Sequence, residues 1–271
     1  ILLRHKPDFV IGFGGYSSGP FLLISNFLNF KTAIQEQNSF PGLTNKMLSN
    51  RIKYIFTAYE NLSYTFKNNT VFNFGNPIRN LEFNSNKNSH EYFGLDKTKK
   101  TILFLGGSLG AQSINEGILN NISLIRESSY QVIWQTGKFY YKNILSKNIQ
   151  DKNLVIKDFI DRMDLAYNAS DLIVSRAGAI AISELCVISK PLILIPSPNV
   201  VDDHQTKNAY AVEERGGCIV IKDSEAKNTM IKMAFDLFEN KNKMDKMKGS
   251  LRKLASPDAT KKIVNKIYDI I

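Results

Sequence analysis

Short runs of apolar residues, rich in β-branched and aromatic types, recur along the chain. Each is followed by small or polar residues and then by a longer stretch with helical spacing. Residues 9–11 (Phe9, Val10, Ile11) form the first run, and Pro20 opens an apolar helical pattern to about Leu28. Residues 31–34 and 54–57 are further strand-like runs, with a helical segment at 45–49 between them. From Arg79 to Lys100 the sequence is polar and irregular, as a linker would be. The alternation then restarts, and residues 101–105, 130–134, 154–156, 172–175, 192–195 and 218–221 read as strands with helical patterns between them. Strands alternating with helices build βαβ units and parallel sheets, which makes the fold class α/β. The two blocks predict two Rossmann-like domains: residues 1–80, a linker at 81–100, residues 101–255, and a terminal helix at 256–271 packing back on the first domain. In such sheets a ligand sits in the crevice beyond the carboxyl ends of the strands. The glycine-rich turns after the first strand of each block fall on that edge.

Composition narrows the picture. The chain has 271 residues, 43% hydrophobic and 22% charged, as expected of a globular protein with ample core. No stretch of about 18 apolar residues runs without polar interruption, so no membrane-spanning helix is expected. Cys186 and Cys218 cannot make a disulfide framework and sit in apolar segments, which predicts buried thiols. The 35 Lys and Arg against 25 Asp and Glu give a net charge of +10. The lysines are scattered and nucleic-acid motifs are absent, so no nucleic-acid partner is expected. A solvated surface or attraction to an anionic membrane remains.

Five segments carry candidate chemistry. Residues 106–112 (GGSLGAQ) join a strand to a helix; glycines let backbone approach a phosphate, and the helix start supplies free N–H groups. Residues 12–19 (GFGGYSSG) form a second such turn in the first block. Residues 175–184 (SRAGAIAISE) end another strand and bring Ser183 and Glu184 into early helical turns, where a carboxylate can hold two ribose hydroxyls or simply complement the helix dipole. Residues 202–209 (DDHQTKNA) and 36–45 (EQNSFPGLTN) are dense in groups that bond sugar hydroxyls. No His, Cys and carboxylate cluster completes a metal set and no cofactor is expected. No Ser-His-Asp or Cys-His pairing suggests nucleophilic catalysis.

Together with GNPIR at 75–79 and DFIDRM at 158–163, these segments resemble, in order and over almost the whole chain, the MurG family of bacterial peptidoglycan N-acetylglucosaminyltransferases. The resemblance implies a GT-B fold and inverting, metal-independent transfer from UDP-N-acetylglucosamine to undecaprenyl-linked lipid I. It implies that Ser108 contacts the diphosphate, that Ile160 meets the uracil through its backbone, and that Glu184 holds the ribose. Gly178, Ala179, Ile180, Ala181, Ile182 and Ser183 would line the nucleotide site, and Arg79 would reach the nucleotide from the domain junction. Gln205, with His204 beside it, and Asn38 from the first domain would face the sugar; Gly14, Gly15 and Tyr16 would form the acceptor-diphosphate loop.

The family's proposed base, a His in another glycine-rich loop at the start of its first domain, has no counterpart here. No catalytic residue is therefore identifiable. The chain also opens without Met, and the expectation is an incomplete first domain that lacks an amino-terminal segment. A lipid acceptor further implies a peripheral protein on the cytoplasmic face of the plasma membrane, with other cell-wall synthesis proteins as partners. The apolar residues 21–31 would be either a core helix or a membrane-dipping one. Two other readings are another UDP-sugar transferase with a lipid acceptor and a non-catalytic UDP-sugar-binding protein.

Overall fold

The computed structural model describes residues 1–79 and 88–271. Residues 81–87 of the expected linker lie outside the described residues. Two wholly parallel sheets carry the fold. The first joins β1 (Phe9–Gly12), β2 (Lys31–Glu36), β3 (Tyr54–Thr57) and β4 (Thr70–Asn73) in chain order. The second holds β5 (Thr101–Leu105), β6 (Gln131–Gln135), β7 (Leu154–Lys157), β8 (Leu172–Ser175), β9 (Leu192–Leu194) and β10 (Ile219–Val220). Its order is β10-β9-β8-β5-β6-β7, the doubly wound order of a dinucleotide-binding sheet.

The first sheet is covered on both faces, which explains why its strands are apolar at successive positions. Val10, Ile34 and Ile55 pack with Leu22, Leu48 and Leu62 from the elements on one side. Ala33 and Phe56 pack on the other side with Ile263 of the terminal helix Ala259–Ile270. The apolar pattern of the sequence does not predict strand β4. Only Val71 and Phe72 are apolar between Thr70 and Asn73, and what makes the segment a strand is pairing with β3. In the second sheet every residue of β5 and β6 is buried. The stretch expected to be irregular up to Lys100 contains, in its described part, the helix Ser89–Phe93. Phe93 and Leu95 are buried in the core of the second domain. Both cysteines are free and buried.

The chain passes between domains at residues 74–79 and again at 254–259, and these passages touch. Gly75 has φ 91°, and a Cβ on it would come within 2.4 Å of Ser256 Cβ. Only glycine suits that backbone and that spacing.

The apolar helix Ser18–Phe27 resolves into two faces. Leu22 and Ser25 are buried against the sheet, while Phe21, Leu23, Ile24 and Phe27 are exposed, Phe27 to 84%. Packed beside it, the helix Leu43–Ser49 exposes Leu43, Lys46 and Met47. Among the described residues no helix is long and apolar enough to cross a membrane.

Candidate active site

The second sheet changes direction at β5, which pairs with β6 on one side and β8 on the other. Connections leave β5 and β8 toward opposite faces, so their carboxyl ends part and open a crevice. A cleft of about 620 Å³ lies there. The loop 106–111 after β5 forms one wall. Its turn depends on Gly110, whose φ is 86° and whose Cβ would stand 2.2 Å from the Thr136 carbonyl oxygen. Ser108 is exposed at the loop's tip, and the helix Gln112–Asn120 begins at the cleft, with Gln112 and Ser113 lining it. That end presents free backbone N–H groups and the positive end of the dipole, which suit an anion.

Residues outside the expected motifs hold this wall in place. Asn115 Nδ2 donates to the Thr136 carbonyl at 2.9 Å, and Asn115 Oδ1 accepts from Trp134 Nε1 at 2.8 Å. Gln135 Nε2 donates to the Gly107 carbonyl at 3.1 Å, and its Oε1 accepts from the Ile160 N–H at 3.0 Å. Gln135 thus ties the glycine loop to the loop bearing Ile160. The Ile160 N–H is spent in that bond and its side chain is buried, so the carbonyl is its remaining polar group. Phe159 and Met163, its neighbours, line the cleft. Arg176 at the cleft donates to the carbonyls of Ile195 and Pro196, to Ser113 Oγ and to Asp223.

The opposite wall is the helix Ala179–Ile188, entered through Gly178. Helical geometry divides the contiguous stretch expected to line the site. Gly178, Ala181 and Glu184 line the cleft. Ala179 and Ile180 are partly exposed, and Ile182 is buried in the core. Ser183 faces the first domain: it accepts from Asn76 Nδ2 at 3.0 Å and donates to the Ala179 carbonyl at 3.0 Å. Glu184 is bound by Arg79 through Nε to Oε1 at 2.8 Å and Nη2 to Oε2 at 2.9 Å, and by the Tyr167 hydroxyl at 3.3 Å. The hydrogen bond to Glu184 raises the Arg79 pKa above its ordinary value. Burial raises that of Tyr167, which stays neutral and donates.

Across the cleft mouth, Gln205 lines the wall with Oε1 held by the N–H groups of Ala177 and Ser197, at 3.2 and 2.9 Å. Its Nε2 hydrogens remain as donors. The preceding turn uses left-handed backbone at Asp202 and Asp203, and His204 Nε2 lies 3.8 Å from Asp202 while Nδ1 is buried without a partner. From the first domain, Asn38 accepts from Asn208 Nδ2 at 3.0 Å. Gly14, Gly15 and Tyr16 follow β1 and precede the helix Ser18–Phe27, with Tyr16 97% exposed. Glu36, in the motif expected to bind a sugar, is buried. It accepts instead from Asn38, Gly42 and Asn45 of its own loop.

Residues 101–263 match the model of the glycosyltransferase family 28 C-terminal domain, and residues 1–57 that of the family 28 N-terminal domain. A protein from Flavobacterium psychrophilum is 44% identical over all of this chain and 74% of its own length. It is named UDP-N-acetylglucosamine--N-acetylmuramyl-(pentapeptide) pyrophosphoryl-undecaprenol N-acetylglucosamine transferase. A Bacteroides fragilis protein of the same name is 41% identical, over 100% of this chain and 73% of its own. Among solved structures, Acinetobacter baumannii MurG superposes with a TM-score of 0.78 at 29% identity, covering 99% of this chain and 75% of that one. A UDP-GlcNAc 2-epimerase from Neisseria meningitidis, at TM-score 0.72 and 16% identity over 99% and 78% of the two chains, shares the fold.

Proposed function

The chain belongs to glycosyltransferase family 28, and on that premise we propose that it moves N-acetylglucosamine from UDP-N-acetylglucosamine to undecaprenyl-diphosphate-linked muramoyl pentapeptide. One observation carries this reading: the crevice between β5 and β8 has an anion-receiving helix start on one wall and a buried carboxylate, Glu184, on the other. A nucleoside diphosphate needs those two features at opposite ends. Ser108 and the amides at the start of the helix Gln112–Asn120 receive the diphosphate, and Glu184 accepts from the ribose hydroxyls. The Ile160 carbonyl accepts from the uracil. Gly178, Ala179, Ile180, Ala181, Ile182 and Ser183 make the helix turns that carry Glu184 to the cleft. Gln205, seconded by His204, and Asn38 take the sugar from two sides.

In the reaction the acceptor hydroxyl attacks the anomeric carbon from the face opposite the diphosphate. The bond from that carbon to the diphosphate oxygen breaks, with inversion, and the acceptor hydroxyl gives its proton to a general base, a role assigned to none of the described residues. Negative charge grows on the departing diphosphate, and preoriented helix amides stabilise it without reorganisation. Arg79 at the domain junction orients the ribose-binding carboxylate through two hydrogen bonds. The loop at Gly14, Gly15 and Tyr16 receives the acceptor's own diphosphate.

The acceptor's lipid calls for a peripheral position on the cytoplasmic face of the plasma membrane. The exposed Phe21, Ile24, Phe27, Leu43 and Met47, with Lys46 among them, support that placement. The test uses the full-length polypeptide with radiolabelled UDP-N-acetylglucosamine and vesicles holding either lipid I or diacylglycerol. Label on lipid I is the expected result. Label on diacylglycerol alone would favour a different lipid-acceptor transferase, and tight donor binding with no transfer would favour a binding protein.

A further inference from the structure

We propose that Asn208 is a positioning residue that sets the side-chain amide of Asn38 for the donor sugar, and does so only when the two domains meet. The inference rests on the reading that Asn38 faces the sugar. Four groups form a chain of hydrogen bonds across the domain boundary. Glu36 Oε1 accepts from Asn38 Nδ2 at 3.2 Å and from the Asn38 N–H at 3.0 Å. Asn38 Oδ1 accepts from Asn208 Nδ2 at 3.0 Å, and Asn208 Oδ1 accepts from the Ser39 N–H at 2.8 Å.

Both ends of this chain have a fixed sense. A backbone N–H can only donate, so Asn208 turns its oxygen to Ser39 and its nitrogen to Asn38. The four bonds at Glu36, from Asn38 twice, Gly42 and Asn45, all run toward the carboxylate, so Asn38 turns its nitrogen to Glu36. The two constraints agree, and neither amide can flip without setting like groups face to face. Asn208 and Glu36 are each 1% exposed, so a mismatch there has no water to relieve it.

Asn208 lies three residues beyond Gln205 on the helix His204–Glu213, hence on the same face. One helix of the nucleotide domain therefore carries both a sugar-facing amide of its own and the orienter of the first domain's. Lys207 adds to the seam, its Nζ 4.2 Å from the centre of the Phe40 ring. The site's second amide is in register only when loop 36–45 rests on this helix.

Asn208→Asp and Asn208→Ala in the full-length polypeptide test the proposal. Asp keeps the shape and the bond from Ser39 but presents an oxygen to Asn38 Oδ1. Calorimetry should give UDP affinities within about twofold of the parent for both variants. UDP-N-acetylglucosamine affinity should fall about tenfold in Asn208→Ala and further in Asn208→Asp, the loss expected for one or two buried hydrogen bonds. A structural filler would give the reverse order, with the isosteric Asp better tolerated than Ala, and that order overturns the proposal. Amide exchange at Ser39 in the unliganded protein is a second measure. Asn208→Ala should speed it at least about tenfold, and an unchanged rate overturns the proposal even if Asn208→Asp does not fold. A parent protein that binds UDP but not its N-acetylglucosamine conjugate would remove the functional reading, while Ser39 exchange would still judge the relay.

Discussion

Arg79 grips Glu184 with two parallel hydrogen bonds, 2.8 and 2.9 Å long, across 105 residues of chain and from the opposite side of the domain junction. The carboxylate is 9% exposed and the guanidinium side chain 51%. The pair thus joins a fixed, buried acceptor to a cation that reaches in from solvent. In the proposed binding mode two ribose hydroxyls come to the same carboxylate. Glu184→Ala removes about two charge-assisted hydrogen bonds, near 1.5 kcal/mol each, and should weaken UDP binding about 100-fold. Calorimetry with UDP measures this, and an unchanged affinity would remove Glu184 from the ribose role.

Arg79→Ala should behave differently. An ion pair with a half-exposed partner contributes little to folding, so urea unfolding should show a loss of about 1 kcal/mol or less. The larger effect should fall on UDP affinity, because Glu184 loses the group that orients its carboxylate. A stability loss of several kcal/mol with normal UDP affinity would recast the pair as a structural clamp.

Gly110→Ala should damage the diphosphate wall through backbone alone. It strains a left-handed residue and drives a methyl onto the Thr136 carbonyl. The expected cost is about 2–4 kcal/mol, visible as a lower unfolding midpoint that UDP no longer raises. An alanine protein still stabilised by UDP to the parental extent would show that the loop does not carry the nucleotide.

Phe27→Asp should cost almost no folding stability, since the ring lies 84% in solvent. It should nevertheless weaken flotation with anionic vesicles about tenfold or more, because one buried aromatic is worth about 1.5–3 kcal/mol. High salt should weaken binding further by screening Lys46. Flotation indifferent to both changes would move the membrane contact elsewhere.

Burial pushes the Cys186 thiol up to about 12, and raises that of Cys218 as well. At pH 8 both then remain protonated, and the thiolate needed for alkylation is scarce. Iodoacetamide should label neither in the native protein and both after unfolding, as intact mass would report. Fast native labelling of Cys186 would indicate an opening of the helix that carries Glu184.

Apolar runs and glycine-rich turns made both sheets and the loop at 106–110 readable from sequence, because those signals are local. β4 was not, since pairing with β3 rather than its two apolar residues defines it. The helix Ser89–Phe93 hid in a polar stretch that buries only a few side chains. At the site, Glu184 and Arg79 stood within recognisable motifs, yet their mutual bond could not be read from either. Gln135, Asn115 and Tyr167 carry no local sequence signal, because each acts on a partner 17 to 28 residues away, in a different element. No periodicity records such contacts. Glu36 shows the reverse case. Its motif suggested a sugar contact, while burial turned its carboxylate inward to organise its own loop.

The contact between Gly75 and Ser256 has a mechanical meaning. The two passages meet there, and Asn76 beside the contact donates both to the Gln37 carbonyl of the first domain and to Ser183 of the second, so the junction is a fastened seam. Gln35 donates to the Gly75 carbonyl at 3.2 Å, which ties the junction to the start of loop 36–45. A methyl group at Gly75 would press on Ser256 and Ala259 and act as a wedge in that seam. The fit of one domain against the other thus depends on a position whose side chain is a single hydrogen.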